Sequence, residues 1–386
     1  MRALVEARYD QFISDLETLV NIDSGSENPP GLTAVRDFLL NRLSPLGWHT
    51  AAHDFVDGRV PCLEAVSPGA AEKNNRFDFL FLGHMDTVFG EGVSGQRPFG
   101  IQGGRARGPG VCDMKAGLVT MLHVAEIITQ MGLASALSVC MGFNSDEEGG
   151  SRGSRAWFEG LAENSDQVLV FEPCRATGHR ILHRKGGGGF DVLCHGKAAH
   201  AGAEPHKGAN AVVELAHQVL KISDFARPDL GSTVNVTVIS GGTVDNVIPD
   251  FAKASVDVRF SSVEEAHRLE ACFQQVPDNP VNSGVRIEVK GGFNRMPMVP
   301  SQKTERLWDR IAAIGTDIGL EMKHTSTGGC SDGNFTAALG IPTIDAMGPI
   351  GGDAHNADEY VELSSIVPNT LLICEVLKAA AEGALP

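Results

Sequence analysis

The chain has no Cys-x-x-Cys pair, no block dense in lysine and arginine, and no basic stripe interleaved with aromatics. Each absence excludes a class. Its eight cysteines (Cys62, Cys112, Cys140, Cys174, Cys194, Cys272, Cys330, Cys374) lie far apart in a chain too long to need covalent staples, so they read as reduced thiols used in packing. With 32 basic against 48 acidic residues the net charge is −16, which argues against nucleic acid and anionic membranes as partners. The stretch from Met1 to Asp10 mixes charges into what would be the apolar core of a signal peptide. No apolar run approaches the roughly 20 residues that span a bilayer. The expectation is a cytoplasmic protein without a membrane partner.

What is present is size and a change of pattern. At 386 residues the chain exceeds the length, about 250 to 300 residues, at which single cores stop growing, so two domains are expected. From 10 to 180, helical patterns alternate with apolar strands, the signature of an α/β fold with a parallel sheet. Leu118, Met121, Leu122, Ala125 and Ile128 mark one face of a helix that follows Asp113. Between about 185 and 294 the order becomes strand 190–195, helix 208–222, strand 233–240, strand 252–260, helix 262–273 and strand 285–290. That β-α-β-β-α-β order predicts a small ferredoxin-like α+β layer. A helix over 304–318 and a strand near 341 then resume the first pattern. The expected organisation is therefore one domain made of 1–184 and 295–386, interrupted by an inserted domain at 185–294.

Potential ligands recur at the ends of the buried strands. The apolar run 77–83 closes on glycine and delivers His84-Met85-Asp86; the run 137–143 is followed by Asn144-Ser145-Asp146-Glu147-Glu148; the run 167–171 leads to Glu172-Pro173. A fourth strand, 341–347, leads through a glycine-rich loop to His355. In an open parallel sheet the carboxyl ends of strands share one edge, where ligands bind. A lone histidine or acid after a strand is usually a surface residue. Four strand ends that all present oxygen or imidazole donors are hard to obtain by chance, and with Asp113 they form the ordered set His84, Asp113, Glu148, Glu172, His355 expected of a two-metal hydrolase.

The chemistry divides among these residues. Residues two apart on an extended segment share a side, so Asp86 is placed to hold the ring proton of a metal-ligating His84. Asp113, in the turn-rich Gly108-Pro109-Gly110-Val111-Cys112-Asp113-Met114-Lys115, could bridge two cations through its two oxygens or simply cap the helix that follows. Consecutive Glu147 and Glu148 diverge, so one can ligate while the other faces the attacking water. Coordination lowers the pKa of a water to near 7, and a free carboxylate then takes its proton and passes it to the leaving amine. Glu147 is the expected general base.

These motifs, together with Asp146-Glu147-Glu148-Gly149, Phe171-Glu172-Pro173, Gly196-Lys197-Ala198-Ala199-His200-Ala201-Gly202 and His355-Asn356-Ala357-Asp358-Glu359-Tyr360, resemble in order the motifs of the co-catalytic dizinc amidohydrolases. That group includes glutamate carboxypeptidase, acetylornithine deacetylase, succinyl-diaminopimelate desuccinylase and aminoacylase. The resemblance spans essentially the whole chain and is strongest to glutamate carboxypeptidase over 328–361. It implies a zinc-exopeptidase-like catalytic domain with two Zn2+ per subunit, Co2+ or Mn2+ being possible substitutes. One zinc would be held by His84, Asp113 and Glu172, the other by Asp113, Glu148 and His355. It also implies a cis peptide after Asp113, dimerisation of the inserted domain into a homodimer, and a His200 that reaches the partner subunit's site to stabilise the tetrahedral oxyanion.

Asn246 and Arg259 resemble family positions that hold the substrate's carboxylate, for which an arginine fork is suited. Arg295, and either Arg184 or Lys185, are further candidates around the four glycines Gly186 to Gly189. Cys330-Ser331-Asp332 stands where carboxypeptidase relatives have Gly-Thr-Asp, a departure that bears on pocket shape. The implied substrate is a peptide or N-acyl amino acid, with release of a C-terminal residue such as glutamate. A deacylase of N-acetyl or N-succinyl amino acids is the alternative on the same machinery. A catalytically silent binding protein is the alternative of another class.

Overall fold

A computed structural model describes residues 1–73 and 76–385. The chain divides into two compact units. The first comprises Met1–His183, Pro300–Ser326 and the chain from Ser331 on; the second comprises Arg184–Val299 with Thr327–Cys330.

The first unit is built on a six-stranded sheet. Its strands are β1 (His49–Phe55), β2 (Val60–Val66), β3 (Phe79–His84), β4 (Val139–Asn144), β5 (Val168–Val170) and the short strand Thr343–Ile344. They lie in the order β1-β2-β4-β3-β5-(Thr343–Ile344). The four last-named strands run parallel and β1 and β2 form an antiparallel flank, so the sheet is mostly parallel as the alternating pattern implied. Every residue of β3 and β4 is buried, which is why these strands read as continuous apolar runs: helices cover both faces. The helix Ala116–Gln130 departs from the expected one-sided stripe, because every residue from Ala116 to Ile128 is buried. It packs against the helices Tyr9–Val20 and Ile366–Ala381 as well as the sheet, and so has no solvent face.

That second packing partner is itself apolar. The stretch Leu363–Ala381 is 19 residues long and apolar enough, by length and composition, to cross a bilayer. Ile366, Leu371, Leu372, Ile373, Val376 and Leu377 from it are buried in the core of the first unit, so its apolarity is used in packing.

The second unit is a four-stranded antiparallel sheet of β6 (Gly186–His195), β7 (Thr233–Gly241), β8 (Phe251–Phe260) and β9 (Arg286–Arg295), in the order β7-β8-β6-β9. Helices Ala211–Ser223 and Val263–Gln274 complete the β-α-β-β-α-β order. Along β8 burial alternates strictly, the signature of a sheet with one face on a core. The strands overrun the sequence reading at one end: β6 begins at Gly186 rather than 190, and β9 continues to Arg295 rather than 290. The glycine run is thus strand. A Cβ at Gly188 would lie 2.2 Å from the Gly292 carbonyl oxygen, and one at Gly186 would lie 2.7 Å from that of Arg295, so only glycine lets β6 and β9 approach here.

Candidate metal centre

The parallel register brings the strand ends together. His84 is the last residue of β3 and pairs in register with Asn144, the last residue of β4; Glu147 and Glu148 lie in the turn that follows. Glu172 lies two residues beyond β5. Asp113 comes from the turn that precedes the helix Ala116–Gln130, and His355 from a loop in which it takes a left-handed backbone (φ 64°), uncommon outside glycine.

Two groups of ligand atoms result, and Asp113 belongs to both. His84, Asp113 and Glu172 form one; Asp113, Glu148 and His355 form the other, the ligand atoms of each lying within 4.8 Å of one another. His84 Nε2 is 3.0 Å from Asp113 Oδ1 and 3.5 Å from Glu172 Oε1. His355 Nε2 is 3.3 Å from Asp113 Oδ2 and 3.2 Å from Glu148 Oε2. Each oxygen of the Asp113 carboxylate therefore faces one histidine, the arrangement a bridging ligand requires. Among the described residues Glu148 Oε1 is buried with no hydrogen-bond partner, a costly state for a carboxylate oxygen unless a cation completes it. Imidazole and carboxylate donors without thiolate suit zinc and neighbouring divalent ions.

The electrostatics agree with a cation site. Burial alone would lower the His84 pKa, but the carboxylates of Asp113, Asp86 and Glu172 outweigh it and raise the value well above normal. Asp113, Glu148 and the same Coulombic attractions raise His355 to about 10. Burial pushes Asp113 upward, yet the two histidines hold it well below the usual carboxylate range.

Asp86, fully buried, does more than the sequence implied. His84 Nδ1 lies 3.0 Å from its backbone oxygen and 3.3 Å from its Oδ1. The same carboxylate accepts the backbone N–H groups of Glu147 and Glu148, each at 3.1 Å, and the Ser26 hydroxyl at 2.7 Å. One side chain thus orients a ligand on β3 and holds the acidic turn after β4.

Glu359 belongs to the motif His355-Asn356-Ala357-Asp358-Glu359-Tyr360. It is buried, and its carboxylate accepts the backbone N–H groups of Gly110 (3.1 Å), Cys112 (2.7 Å) and Asp113 (2.9 Å). Burial raises its pKa to about 7 against those hydrogen bonds. Lys115 is buried beneath the same turn, where desolvation lowers its pKa to about 7, and its Nζ donates to the Ile22 carbonyl at 2.8 Å. The Asp113–Met114 peptide is cis. The only sequence signal for Glu359 was an acid one residue before a strand that reads as buried.

In the second unit two candidates 46 residues apart come together. Ala199–His200 pairs antiparallel with Val247–Ile248, and the Ala201 N–H donates to the Asn246 carbonyl at 2.9 Å. His200 is exposed, and its Nδ1 accepts from the N–H groups of Gly202 (3.2 Å) and Ala203 (3.1 Å). With Nδ1 accepting, Nε2 is the ring nitrogen that carries the proton and can donate. Arg259 is not an open fork: its Nε and Nη2 bond Asp257 at 3.2 and 3.0 Å, and its Nη1 lies 3.3 Å from Cys330 Sγ. Arg184 is buried and donates to the carbonyls of Gly329 and Cys330, which makes it a tie for that loop. Arg295 ends β9 opposite Gly187.

The family model for peptidase family M20/M25/M40 matches residues 80–379. The chain is 32% identical over 360 residues to carboxypeptidase G2 of Pseudomonas sp. (strain RS-16), covering 92% of this chain and 85% of that protein. It is 28% identical to a succinyl-diaminopimelate desuccinylase of Magnetococcus marinus, over 86% of this chain and 89% of that one. Its fold matches the crystal structure of a tripeptidase from Staphylococcus aureus with a TM-score of 0.79 at 18% identity, covering 97% and 99% of the two chains.

Proposed function

The chain belongs to peptidase family M20/M25/M40, and from that premise we propose that it hydrolyses an amide beside a free carboxylate, releasing a C-terminal, glutamate-like residue from a peptide or N-acyl amino acid. The observation that carries the reading is the pair of imidazole–carboxylate groups sharing Asp113, with Glu147 on the turn that also carries Glu148. His84, Asp113 and Glu172 would hold one zinc and Asp113, Glu148 and His355 the other, Co2+ or Mn2+ being substitutes. When bound, the ions supply Lewis acidity toward water and the scissile carbonyl.

The side chains do the rest. Glu147 takes the proton of the attacking water and delivers it to the leaving amine. Asp86 keeps His84 in the tautomer whose Nε2 is free to ligate. His200 donates from Nε2 to the developing oxyanion, reaching the active site of the partner subunit in a homodimer. Asn246, Arg259 and Arg295 hold the substrate's carboxylate, with Asp257 pre-orienting the Arg259 guanidinium. Dimerisation through the second unit is supported by exposed apolar side chains there: Ile239 and Leu220 are 62% and 69% exposed and line one groove, and β7 is the last strand of its sheet among the described residues. Eight cysteines without a disulfide fit a cytoplasmic setting.

The desuccinylase relative favours one second reading, a deacylase of N-acetyl or N-succinyl amino acids. A hydrolysis panel on the zinc-loaded protein decides: turnover of N-acyl glutamates and glutamyl peptides is expected. Turnover of N-acetylornithine or N-succinyl-diaminopimelate alone would replace the carboxypeptidase reading with the deacylase one.

A further inference from the structure

The turn that carries Glu147 and Glu148 begins at Asn144, the last residue of β4, and its polypeptide comes back on itself at Ser151, whose N–H bonds the Asp146 carbonyl at 2.7 Å. Both ends of this segment meet one buried carboxylate from a distant part of the chain. Asn144 Nδ2 donates to Asp332 Oδ2, and Ser151 Oγ donates to Asp332 Oδ1 at 2.5 Å. All three residues are buried and belong to the first unit.

We propose that Asp332 is a positioning residue for the hydrolysis, bracing both ends of the segment 144–151 so that Glu147 and Glu148 are held at the metal centre. The assignment rests on the reading of Glu147 as base and Glu148 as ligand. Three observations carry it. First, Asp332 has helical backbone angles at the start of the helix Gly333–Ala338, and that helix takes no side-chain cap bond from it. The Ser331 hydroxyl accepts the Gly333 N–H instead, at 3.1 Å. The helix start is thus capped by Ser331, and Asp332 presents its two oxygens to the acidic turn.

Second, the middle and flank of the same segment are held separately. Asp86 accepts the N–H groups of Glu147 and Glu148, and Asp146 accepts the Gly153 N–H at 2.6 Å and the Ser154 hydroxyl. Neither of these reaches both Asn144 and Ser151. Third, Asn144 also ties the brace to the strand of the first histidine: its carbonyl accepts the Met85 N–H at 2.7 Å, next to His84. A loosened Asn144 would therefore disturb the positions of Glu147, Glu148 and His84 together. Ser151, at the other end, takes a left-handed backbone (φ 56°), an uncommon conformation for serine that its environment must hold in place.

The test is steady-state kinetics of the zinc-loaded, full-length protein with Asp332→Ala, Asp332→Asn, Ser151→Ala and Glu147→Gln. Loss of a residue that orients catalytic groups through others should lower kcat roughly 10- to 100-fold in Asp332→Ala while KM stays near that of the unmodified protein. Asp332→Asn should regain most of that loss. Asn144 Oδ1 has no hydrogen-bond partner among the described residues, so a flip of its amide would let it accept from an asparagine at 332 while Ser151 still donates to the new side chain's oxygen. A residue needed only for folding would not separate kcat from KM in this way. Ser151→Ala removes one half of the brace and should lower kcat less, in the same direction; it remains decisive if Asp332→Ala does not fold. A kcat near normal in Asp332→Ala, or in Ser151→Ala when the former is unfolded, overturns the proposal. So does a loss expressed in KM, or a loss that Asp332→Asn fails to restore. Glu147→Gln separates the two layers: if it is inactive and Asp332→Ala is not, the brace fails and the function stands, whereas an active Glu147→Gln removes the base and the brace with it.

Discussion

The two units solve opposite problems with similar means. In the first, parallel strands buried on both faces deliver His84, Glu148 and Glu172 to one sheet edge, and the set of paired ligands is complete within the unit. In the second, Arg259 is half-buried on a strand of alternating burial, while His200 and Asn246 are exposed in and beside the short pair Ala199–His200 and Val247–Ile248. A cluster that could hold metal is built on buried strand ends of one unit, whereas the residues proposed for substrate and for the partner subunit lie at exposed or half-buried positions of the other.

The comparison can be broken most severely at Glu147. Glu147→Gln should retain both metals and lose turnover by on the order of 100-fold or more, as for a lost general base. Metal content by atomic emission together with kcat checks this, and unchanged turnover would take the acidic turn out of the chemistry. Next comes the second unit. His200→Ala should cost on the order of 100-fold in kcat, the scale of a lost oxyanion donor, with no change in bound metal. Mixing it with Glu147→Gln subunits should return part of the activity, since each mixed dimer then holds one intact site. Mixtures as inactive as their components would confine His200 to a role within its own subunit or to none.

A smaller effect is expected at Asp86. Asp86→Ala frees both the His84 ring and the two turn amides, and should weaken metal affinity roughly 10- to 100-fold, measured by competition with a chromogenic chelator. The smallest effect sharpens the contrast in stability. Glu214, buried in the second unit, accepts the N–H groups of Val281 (3.1 Å) and Asn282 (2.6 Å). Burial would raise its pKa, but Gln218 and these two amides hold it below the usual 4.5. A lowered folded pKa means stability that is present above pH 4.5 and lost as pH falls through the folded value. Glu214→Gln should therefore unfold at a lower temperature than the unmodified protein at pH 7, and the gap should close as pH drops below 4.5. A gap independent of pH would show that the charge of Glu214 contributes nothing to the fold.

Much of this was legible because burial writes itself into the strands. Apolar runs ending at His84, Glu148 and Glu172 announce strands covered on both faces, and a parallel sheet puts such ends on one edge whatever their spacing in the chain. The β-α-β-β-α-β order of the second unit was equally plain from alternation. What failed to show were residues that act through the backbone. Glu359 holds the turn of Asp113 by accepting three N–H groups, Asp332 contacts the acidic turn from 188 and 181 residues away, and Ser26 contacts Asp86 from 60 residues away. Nothing in a sequence marks an acid as an acceptor for distant amides. The glycine run at 186–189 misled for a related reason: glycine signals a break in the chain, and only the close approach of β9 makes it a strand.

The sequence by itself determined the kinds of donor, their order, and the two patterns of burial, because side-chain periodicity and strand length are local properties. Tertiary structure decided that Asp113 faces a histidine with each oxygen, that Asp86 serves both a ligand and the acidic turn, and that Arg259 is already engaged by Asp257. Those are matters of distance and angle between segments far apart in the chain, and hydrogen bonds of about 3 Å depend on packing that no local pattern encodes.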